Sequence, residues 1–332
     1  MPAPQLECVP NVSEGRDLRL VDRLAAAITS VPGTCLVHRD VGRDANRTVF
    51  TFLGPPEAVC LSAKRLARAC VDLVDLRGYA GTHPYVGALD VCPFVPLWGL
   101  DPALARAAAE DVGAYLAGEL GVPVYFYEES ARRERFRNLA RVRRGGLASV
   151  PGRPPEDGPD LGGPLPHPSA GVSVVGARGI LVAYNVNLAT ADARLARAIA
   201  RELRGSLPAV RAIGWYQAAF GCCQVSCNLL DYRVTDMATA YAKTGEIAAR
   251  HGTSVAGSEL IGMAPAAALR GWESLGLDSV RAFAYEGRVL TPTPHSPPGS
   301  PDCSPAPPPG SARPAPRNTP PTPGRTPPPR AA

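Results

Sequence analysis

The sequence predicts an α/β (α+β) fold of two similar subdomains, each a mixed sheet with helices on its outer face, and the two sheets facing a central cleft. Three observations support this prediction. Short apolar runs alternate with amphipathic helical stretches through the first 290 residues. A proline- and glycine-rich break at residues 151–170 divides these elements into two halves. In each half, a strand-like run ends at an Asn-Val pair and leads into a helix.

These features place the subdomains at residues 1–176 and 177–290, followed by a disordered tail at residues 291–332. The tail has 17 prolines in 42 residues and few apolar side chains, so it cannot bury enough surface to fold. Residues 320–325 match a PxxPxR ligand of SH3-type grooves. In so proline-rich a segment, chance readily produces that match.

The first half is predicted to alternate strands with long helices. Apolar residues at positions 20, 21, 24, 25 and 28 repeat with a helical period, and Ser13 precedes them as a candidate N-cap. Similar patterns predict the other elements: strands at 5–10, 34–37, 48–54, 88–96 and 122–127; helices at 18–28, 56–74 and 102–120; and an arginine-rich helical stretch at 130–144.

The second half repeats this alternation. It contains predicted strands at 172–175, 180–187, 210–216 and 224–231, and predicted helices at 191–203 and 236–251. The run at 183–187 (AYNVN) resembles that at 9–13 (VPNVS), and either internal duplication or chance explains the likeness. A duplicated unit would place two sheets face to face, with a natural ligand site between them.

Charge and composition favour a cytoplasmic protein with neither nucleic-acid nor membrane partners. The formal net charge is +5, but four arginines and one aspartate give the tail +3, which leaves +2 for the body. No run reaches the roughly 18 apolar residues of a membrane span, and the first residues lack the pattern of a signal peptide. Most of the nine cysteines lie in apolar runs, which favours free thiols in a reducing compartment.

Common cofactor and catalytic motifs are not found. The sequence has no GxGxxG after a strand, no GxxxxGK[ST], no GxSxG and no HExxH. Cys222, Cys223 and Cys227 lie close together, but no second pair of ligands follows at zinc-finger spacing. We therefore predict no metal.

Among the five histidines, His83 has the strongest functional context. It lies in the glycine-containing segment 78–87, directly before the strand predicted at 88–96. Pro84 restricts His83 to extended backbone, and the glycines allow a ligand to approach the chain closely. An imidazole with its ordinary pKa of about 6.5 can both accept and donate a proton near neutral pH.

Several blocks of sequence around His83 resemble the glutamate formiminotransferase family. The resemblance covers about residues 5–285, and its blocks occur in the family's order. They are 7–15 (ECVPNVSEG), 46–49 (NRTV), 54–57 (GPPE), 83–84 (HP), 87–94 (GALDVCPF), 122–125 (VPVY), 214–216 (GWY), 225–226 (VS), 228–231 (NLLD) and 257–260 (GSEL).

The resemblance implies transfer of a formimino group from N-formimino-L-glutamate to N5 of tetrahydrofolate, supplied as a polyglutamate, in histidine degradation. It implies two α/β formiminotransferase subdomains facing a cleft, with His83 as the proton donor. It also implies a folate-binding loop formed by Gly162, Gly163, Pro164, Leu165, Pro166, His167, Pro168, Ser169, Ala170 and Gly171. The cyclodeaminase half that vertebrate members add has no room in this chain, and a homodimer is left open.

The chemistry requires one proton to move from the attacking folate nitrogen to the departing glutamate nitrogen. We assign that transfer to His83. Asp40 is a candidate for orienting His83 or stabilising the amidinium, and its alternative is a turn aspartate before Gly42. The seven arginines of residues 132–144 are either a solvated helical face or a patch for substrate carboxylates.

Two departures from the family pattern support other interpretations. Tyr85 stands where the family usually has an arginine, and the sequence after Leu269 departs from the family's usual ending. If the missing arginine binds a carboxylate, Arg43 or Arg47 is the candidate substitute. The alternatives to an active transferase are a catalytically weak folate-binding relative and a scaffold that acts through the tail.

Overall fold

The larger of two β-sheets is built from the first half of the chain. This computed structural model describes residues 4–81, 83–277 and 289–290. The strands of this sheet are β1 (Gln5–Cys8), β2 (Asn11–Val12), β3 (Cys35–Gly42), β4 (Arg47–Gly54), β5 (Leu89–Leu97), β6 (Val124–Phe126) and β7 (Ser173–Ala177). β1 and β2 both lie between β4 and β5 and pair with each of them. β3 pairs with β4, β7 pairs with β5, and β6 pairs with β7. The pairs made by β7 are parallel and the others antiparallel, so the sheet is mixed, as predicted.

Three helices cover one face of this sheet. They are α1 (Leu18–Thr29), α2 (Pro56–Leu73) and α3 (Pro102–Glu119). Their apolar side chains and the sheet's form one core, in which Leu24, Phe50 and Phe94 are fully buried. The predicted cap of α1 is wrong by four residues, because the carboxylate of Asp17 accepts from the first backbone N–H groups of the helix. The hydroxyl of Ser13 instead donates to the carbonyl of Gly87 at 2.7 Å.

The second half forms an antiparallel four-stranded sheet with its own core. Its strands are β8 (Val182–Leu188), β9 (Val210–Gln217), β10 (Cys222–Leu229) and β11 (Val255–Ile261), in the order β11-β8-β10-β9. The helices α5 (Ala193–Ser206) and α6 (Met237–Arg250) pack on one face, where Tyr184, Val186 and Val225 are buried. Because side chains alternate along a strand, Asn185, Asn187 and Gln224 lie on the opposite face.

The predicted helix at 130–144 is largely wrong. That stretch contains short turns, including one at Glu134–Arg137, and the four-residue helix α4 (Leu139–Val142). Its arginines bind groups further along the chain: Arg133 donates to the carbonyl of Gly158 and to the carboxylate of Asp160, both at 2.7–2.8 Å. These tertiary contacts override the local helical tendency.

Several other predictions can be compared with the structure. The predicted boundary between residues 176 and 177 falls inside β7, before its last residue, and stays a prediction. The tail at 291–332 lies outside the described residues. Free thiols are found at seven positions, whereas Cys35 is disulfide-bonded, against the prediction. Among the helices that the structure describes, none is long and apolar enough to cross a membrane.

Candidate active site

His83 lies at the junction of the two halves, just before β5. Its Nδ1 is 2.7 Å from the carbonyl oxygen of Pro84. The ring also meets Trp215 of β9 edge to face, with centroids 5.7 Å apart and planes at 79°. Because a carbonyl oxygen only accepts, Nδ1 carries the proton of the neutral ring. Nε2 is then the nitrogen with a lone pair available to a substrate.

The environment of His83 favours its neutral form. Burial lowers the pKa of the imidazole well below 6.5, and the positive charges of Arg47 and Arg143 lower it further, while Asp90 and the Pro84 carbonyl oppose the shift. The sequence-based expectation of an ordinary pKa is therefore wrong. At neutral pH the ring is therefore uncharged.

A buried cluster of charge lies beside His83. Arg47 and Arg143 both donate to the same carboxylate oxygen of Asp90, and the other oxygen of Asp90 accepts from the backbone N–H of Val86 at 2.7 Å. Burial opposes ionisation of Asp90, but the two guanidinium groups prevail and lower its pKa to about 2. Two cations and one anion leave this cluster with a net positive charge.

The same cluster is joined to the histidine through the backbone. Arg47 donates to the carbonyl of Pro84 at 3.1 Å, which is the oxygen that receives Nδ1–H of His83. Sequence reasoning missed this cluster as a unit. The sequence feature that could have indicated the cluster is Asp90, a charged residue inside a strand of otherwise apolar residues.

The predicted folate-binding loop, residues 162–171, packs against the chain on both sides of His83. The carbonyls of Ser169 and Ala170 accept from the backbone N–H groups of Leu76 and Ala88, each at 2.8 Å. A Cβ on Gly171 would lie 2.4 Å from the carbonyl oxygen of Val86, so only glycine fits there. The structure therefore brings the end of this loop and the histidine segment together.

The middle of the loop is held by its own histidine. Nδ1 of His167 accepts from the backbone N–H groups of Ser169 and Ala170, at 3.3 and 3.1 Å. Its backbone N–H and carbonyl pair with those of Gly171. Leu165 at the tip is 65% exposed. The loop thus presents an ordered backbone and an apolar tip to the surface.

Asp40 lies within β3 and is buried, so the alternative of a turn aspartate is wrong. Its Oδ2 accepts from the backbone N–H of Gly262, just after β11, at 3.3 Å, and lies 3.9 Å from Nε2 of His38. The carboxylate therefore faces the second half of the molecule. Its role toward His83 or the amidinium stays a prediction.

The other candidates from the sequence have different surroundings. Tyr85, at the family's usual arginine position, packs its ring against Tyr79 with centroids 4.4 Å apart. Most described arginines between 132 and 144 pair with loop carbonyls and carboxylates, and Arg143 alone among them reaches Asp90. Within the described residues, no group of three His, Cys, Asp or Glu side chains is arranged to hold a metal.

The structure is that of a two-unit α/β protein with a half-buried histidine where the units meet. Comparison with known families shows which family this is. The chain matches the formiminotransferase domain, N-terminal subdomain, over residues 5–178, and the formiminotransferase domain over residues 183–274. The chain belongs to the formiminotransferase family.

Individual relatives fall into two groups. Formimidoyltransferase-cyclodeaminase of Gallus gallus is 41% identical over 278 residues, which are 80% of this chain and 51% of that protein. Glutamate formimidoyltransferase of Streptococcus pyogenes serotype M1 is 37% identical over 290 residues, 86% of this chain and 97% of that protein. That of Thermoplasma acidophilum is 34% identical, covering 80% and 89%. The chain therefore spans about half of the longer relatives and nearly all of the shorter ones.

Proposed function

We propose that this chain is a glutamate formimidoyltransferase, which moves the formimino group of N-formimino-L-glutamate to N5 of tetrahydrofolate in histidine degradation. The observation that carries the proposal is His83, a neutral imidazole at the junction of the two halves, with Nδ1 held by Pro84 and Nε2 free to act as a base. Family membership and the names of the shorter relatives support this choice.

The proposed reaction begins with attack of N5 on the formimino carbon. The carbon becomes tetrahedral, and N5 carries a positive charge and an acidic proton. Nε2 of His83 accepts that proton. The resulting imidazolium donates it to the glutamate nitrogen, the bond from that nitrogen to the formimino carbon breaks, and glutamate leaves with the electron pair. His83 returns to its neutral form.

The low pKa of His83 suits both transfers. A protonated N5 in the intermediate is a strong acid, so a weak base suffices to remove its proton. An imidazolium beside Arg47 and Arg143 is itself a strong acid, so it passes the proton on readily to the leaving amine. General acid–base catalysis of this kind contributes about 10²–10⁴-fold, and holding both substrates together contributes further.

The proposed binding groups follow from charge and position. The net positive cluster of Arg47, Arg143 and Asp90 attracts the carboxylates of the two substrates. Residues 162–171 are the proposed folate loop, and Asp40 is the proposed amidinium partner. Tetrahydrofolate acts as a co-substrate with no metal, the subdomains are 1–176 and 177–290, and the cytoplasm is the proposed compartment.

A single-turnover assay tests this function. Purified chain, tetrahydrofolate and N-formimino-L-glutamate are mixed, and 5-formiminotetrahydrofolate and glutamate are measured. We expect equal amounts of the two products, and at least a 100-fold slower reaction for His83→Ala. His251→Ala is the matched control. His251 directly follows α6, and its ring contacts the carboxylate of Glu202 in α5. Unchanged turnover of His83→Ala would refute the assigned proton transfer.

The assay also separates the two rival functions. A chain that binds tetrahydrofolate without forming product is the catalytically weak folate-binding relative, for which Tyr85 is the motivating observation. Deletion of residues 291–332 tests the scaffold, since an enzyme confined to the two subdomains keeps its turnover without the tail.

A further inference from the structure

The face of the second sheet that points away from its helices carries a row of polar side chains beginning at the active site. Trp215 of β9, Gln224 of β10 and Asn187 of β8 are direct cross-strand partners, so they share one face. Trp215 touches the His83 ring. At the other end, Asn187 lines a cavity of about 360 Å³ together with Thr190, Phe220 and Cys222. Gln224 therefore lies between the proposed base and a cavity.

The orientation of the Gln224 side chain is fixed by its neighbours. Its Nε2 donates to Oδ1 of Asn187 at 2.8 Å and to Oε2 of Glu259 at 3.2 Å. A carboxylate oxygen accepts, so the nitrogen of the amide must face Glu259 and both of its N–H groups are used. Asn185 also donates to Glu259, at 3.2 Å, which holds that carboxylate in place.

The remaining group of the amide is an acceptor that the protein does not satisfy. Gln224 is fully buried, and its Oε1 has no hydrogen-bond partner among the described residues. Such a group costs free energy unless a ligand or water pairs with it. The carboxylate behind Nε2 polarises the amide, which makes Oε1 a stronger acceptor. A ligand that meets this oxygen must present an N–H or O–H donor.

The distance from His83 selects the donor. Neighbouring strands are about 4.8 Å apart, so the backbone of Gln224 lies one strand spacing beyond that of Trp215, whose ring meets His83. At that offset, N-formimino-L-glutamate offers carboxylate oxygens, which Oε1 would repel. Tetrahydrofolate offers the 2-amino group and N3–H of its pterin, at the end of the ring system away from N5.

We propose that Gln224 binds the pyrimidine edge of the tetrahydropterin ring through Oε1 and thereby positions N5 at His83. This inference rests on the proposed function for the choice of ligand. Asn187 and Glu259 act through Gln224 by fixing its amide.

Two variants of Gln224 test the contact. Gln224→Met keeps the shape and removes the acceptor, and Gln224→Asn keeps the amide but withdraws its oxygen by one methylene. Asn228→Leu is the matched control, since Asn228 lies on the same strand and face, two rows further from Trp215. Thermal unfolding confirms that each variant is folded, and the conservative Gln224→Asn serves if Gln224→Met does not fold.

Binding is measured with 6-methyltetrahydropterin, which lacks the aminobenzoyl-glutamate part, and with tetrahydrofolate. We expect both ligands to bind about tenfold more weakly to the Gln224 variants and unchanged to Asn228→Leu, with the KM for N-formimino-L-glutamate unaltered. Unchanged pterin affinity in a folded variant overturns the inference, as does a rise confined to the KM for N-formimino-L-glutamate. Gln224-dependent pterin binding without turnover sinks the proposed function and leaves this inference standing.

Discussion

The guanidinium of Arg143, which follows α4, donates to the buried carboxylate of Asp90 on β5, 53 positions earlier in the chain. Asp90 is shared with Arg47, so removal of Arg143 leaves the carboxylate paired. Arg143 is also one of the two cations that depress the pKa of His83. The Arg143–Asp90 ion pair therefore connects the segment between the two halves, which carries Arg143, with the protonation state of His83, the proposed base.

We predict that Arg143→Gln moves the acid limb of the pH profile upward. Turnover requires neutral His83, so kcat/KM is lost as pH falls through the histidine's pKa. In the native chain that pKa lies well below 6.5. Burial and Arg47 still lower the pKa in the variant, but loss of the positive charge of Arg143 raises it toward 6.5.

The profile is recorded between pH 4.5 and 9 with saturating tetrahydrofolate. Arg144→Gln is the control, because Arg144 is adjacent in sequence and its side chain is exposed. An acid limb at the same pH in both variants and in the native chain would show that Arg143 does not set the protonation of His83.

Glu7 supplies a second pH-dependent prediction, for stability. It lies on β1 between Leu53 and Val95 of the neighbouring strands. Burial raises the pKa of its carboxyl from 4.5 to about 7, against the charge of Arg178. A raised pKa means that the stabilisation is complete below pH 4.5 and is lost as pH rises through 7, a change of about 3 kcal/mol.

Glu7→Gln should remove this dependence. Urea unfolding at pH 5 and pH 8 measures the free energy of unfolding of both proteins. We expect the variant to gain about 2–3 kcal/mol relative to the native chain between the two pH values. Glu57→Gln, at an exposed position in the first turn of α2, should show no such change. If the difference in free energy of unfolding between Glu7→Gln and the native chain is the same at pH 5 and pH 8, the raised pKa of Glu7 is contradicted.

A pair of glycine substitutions tests the packing that holds the histidine segment. A Cβ on Gly87 would lie 1.9 Å from the carbonyl oxygen of Val172. Gly87→Ala must push the chain before β5 away from Val172, and we expect a loss of at least about 3 kcal/mol of stability. Gly118→Ala in α3 meets nothing within 4 Å and should stabilise by about 0.5–1 kcal/mol. Thermal unfolding of both variants measures the contrast, and equal unfolding temperatures would contradict it.

The elements that sequence reasoning predicted well are those with strong local patterns. Helix α1 was predicted at 18–28 and found at Leu18–Thr29, because its apolar side chains recur at helical spacing. Strand β11 was not predicted. It contains a glycine at φ 132° and a bulge, and both interrupt the alternation that identifies a strand.

The site was predictable only in part, for a similar reason. The sequence around His83 identified the histidine, since proline and glycine restrict the backbone locally. The protonation state of His83 was not predictable, because Arg47 and Arg143 meet Asp90 from 43 and 53 positions away. The polar row at Gln224 also depends on strand register, which fixes which side chains share a face.

Asp40 gives the last prediction, which separates a structural from a chemical role. Its carboxylate accepts from the backbone N–H of Gly262 at 3.3 Å. Asp40→Asn can keep that hydrogen bond through the amide oxygen, so the junction with the second half should stay intact. The variant removes the negative charge of the carboxylate.

If that charge stabilises the protonated formimino group, kcat falls by at least about 100-fold, the loss typical when one preorganised electrostatic group is removed. The acid limb set by His83 should keep its shape, and tetrahydrofolate should bind as before. Asp22→Asn is the control, because Asp22 is an exposed carboxylate paired with Arg39 on the surface. Full turnover in Asp40→Asn would make Asp40 a residue that only joins the two halves, and the amidinium would then need another partner in the cleft.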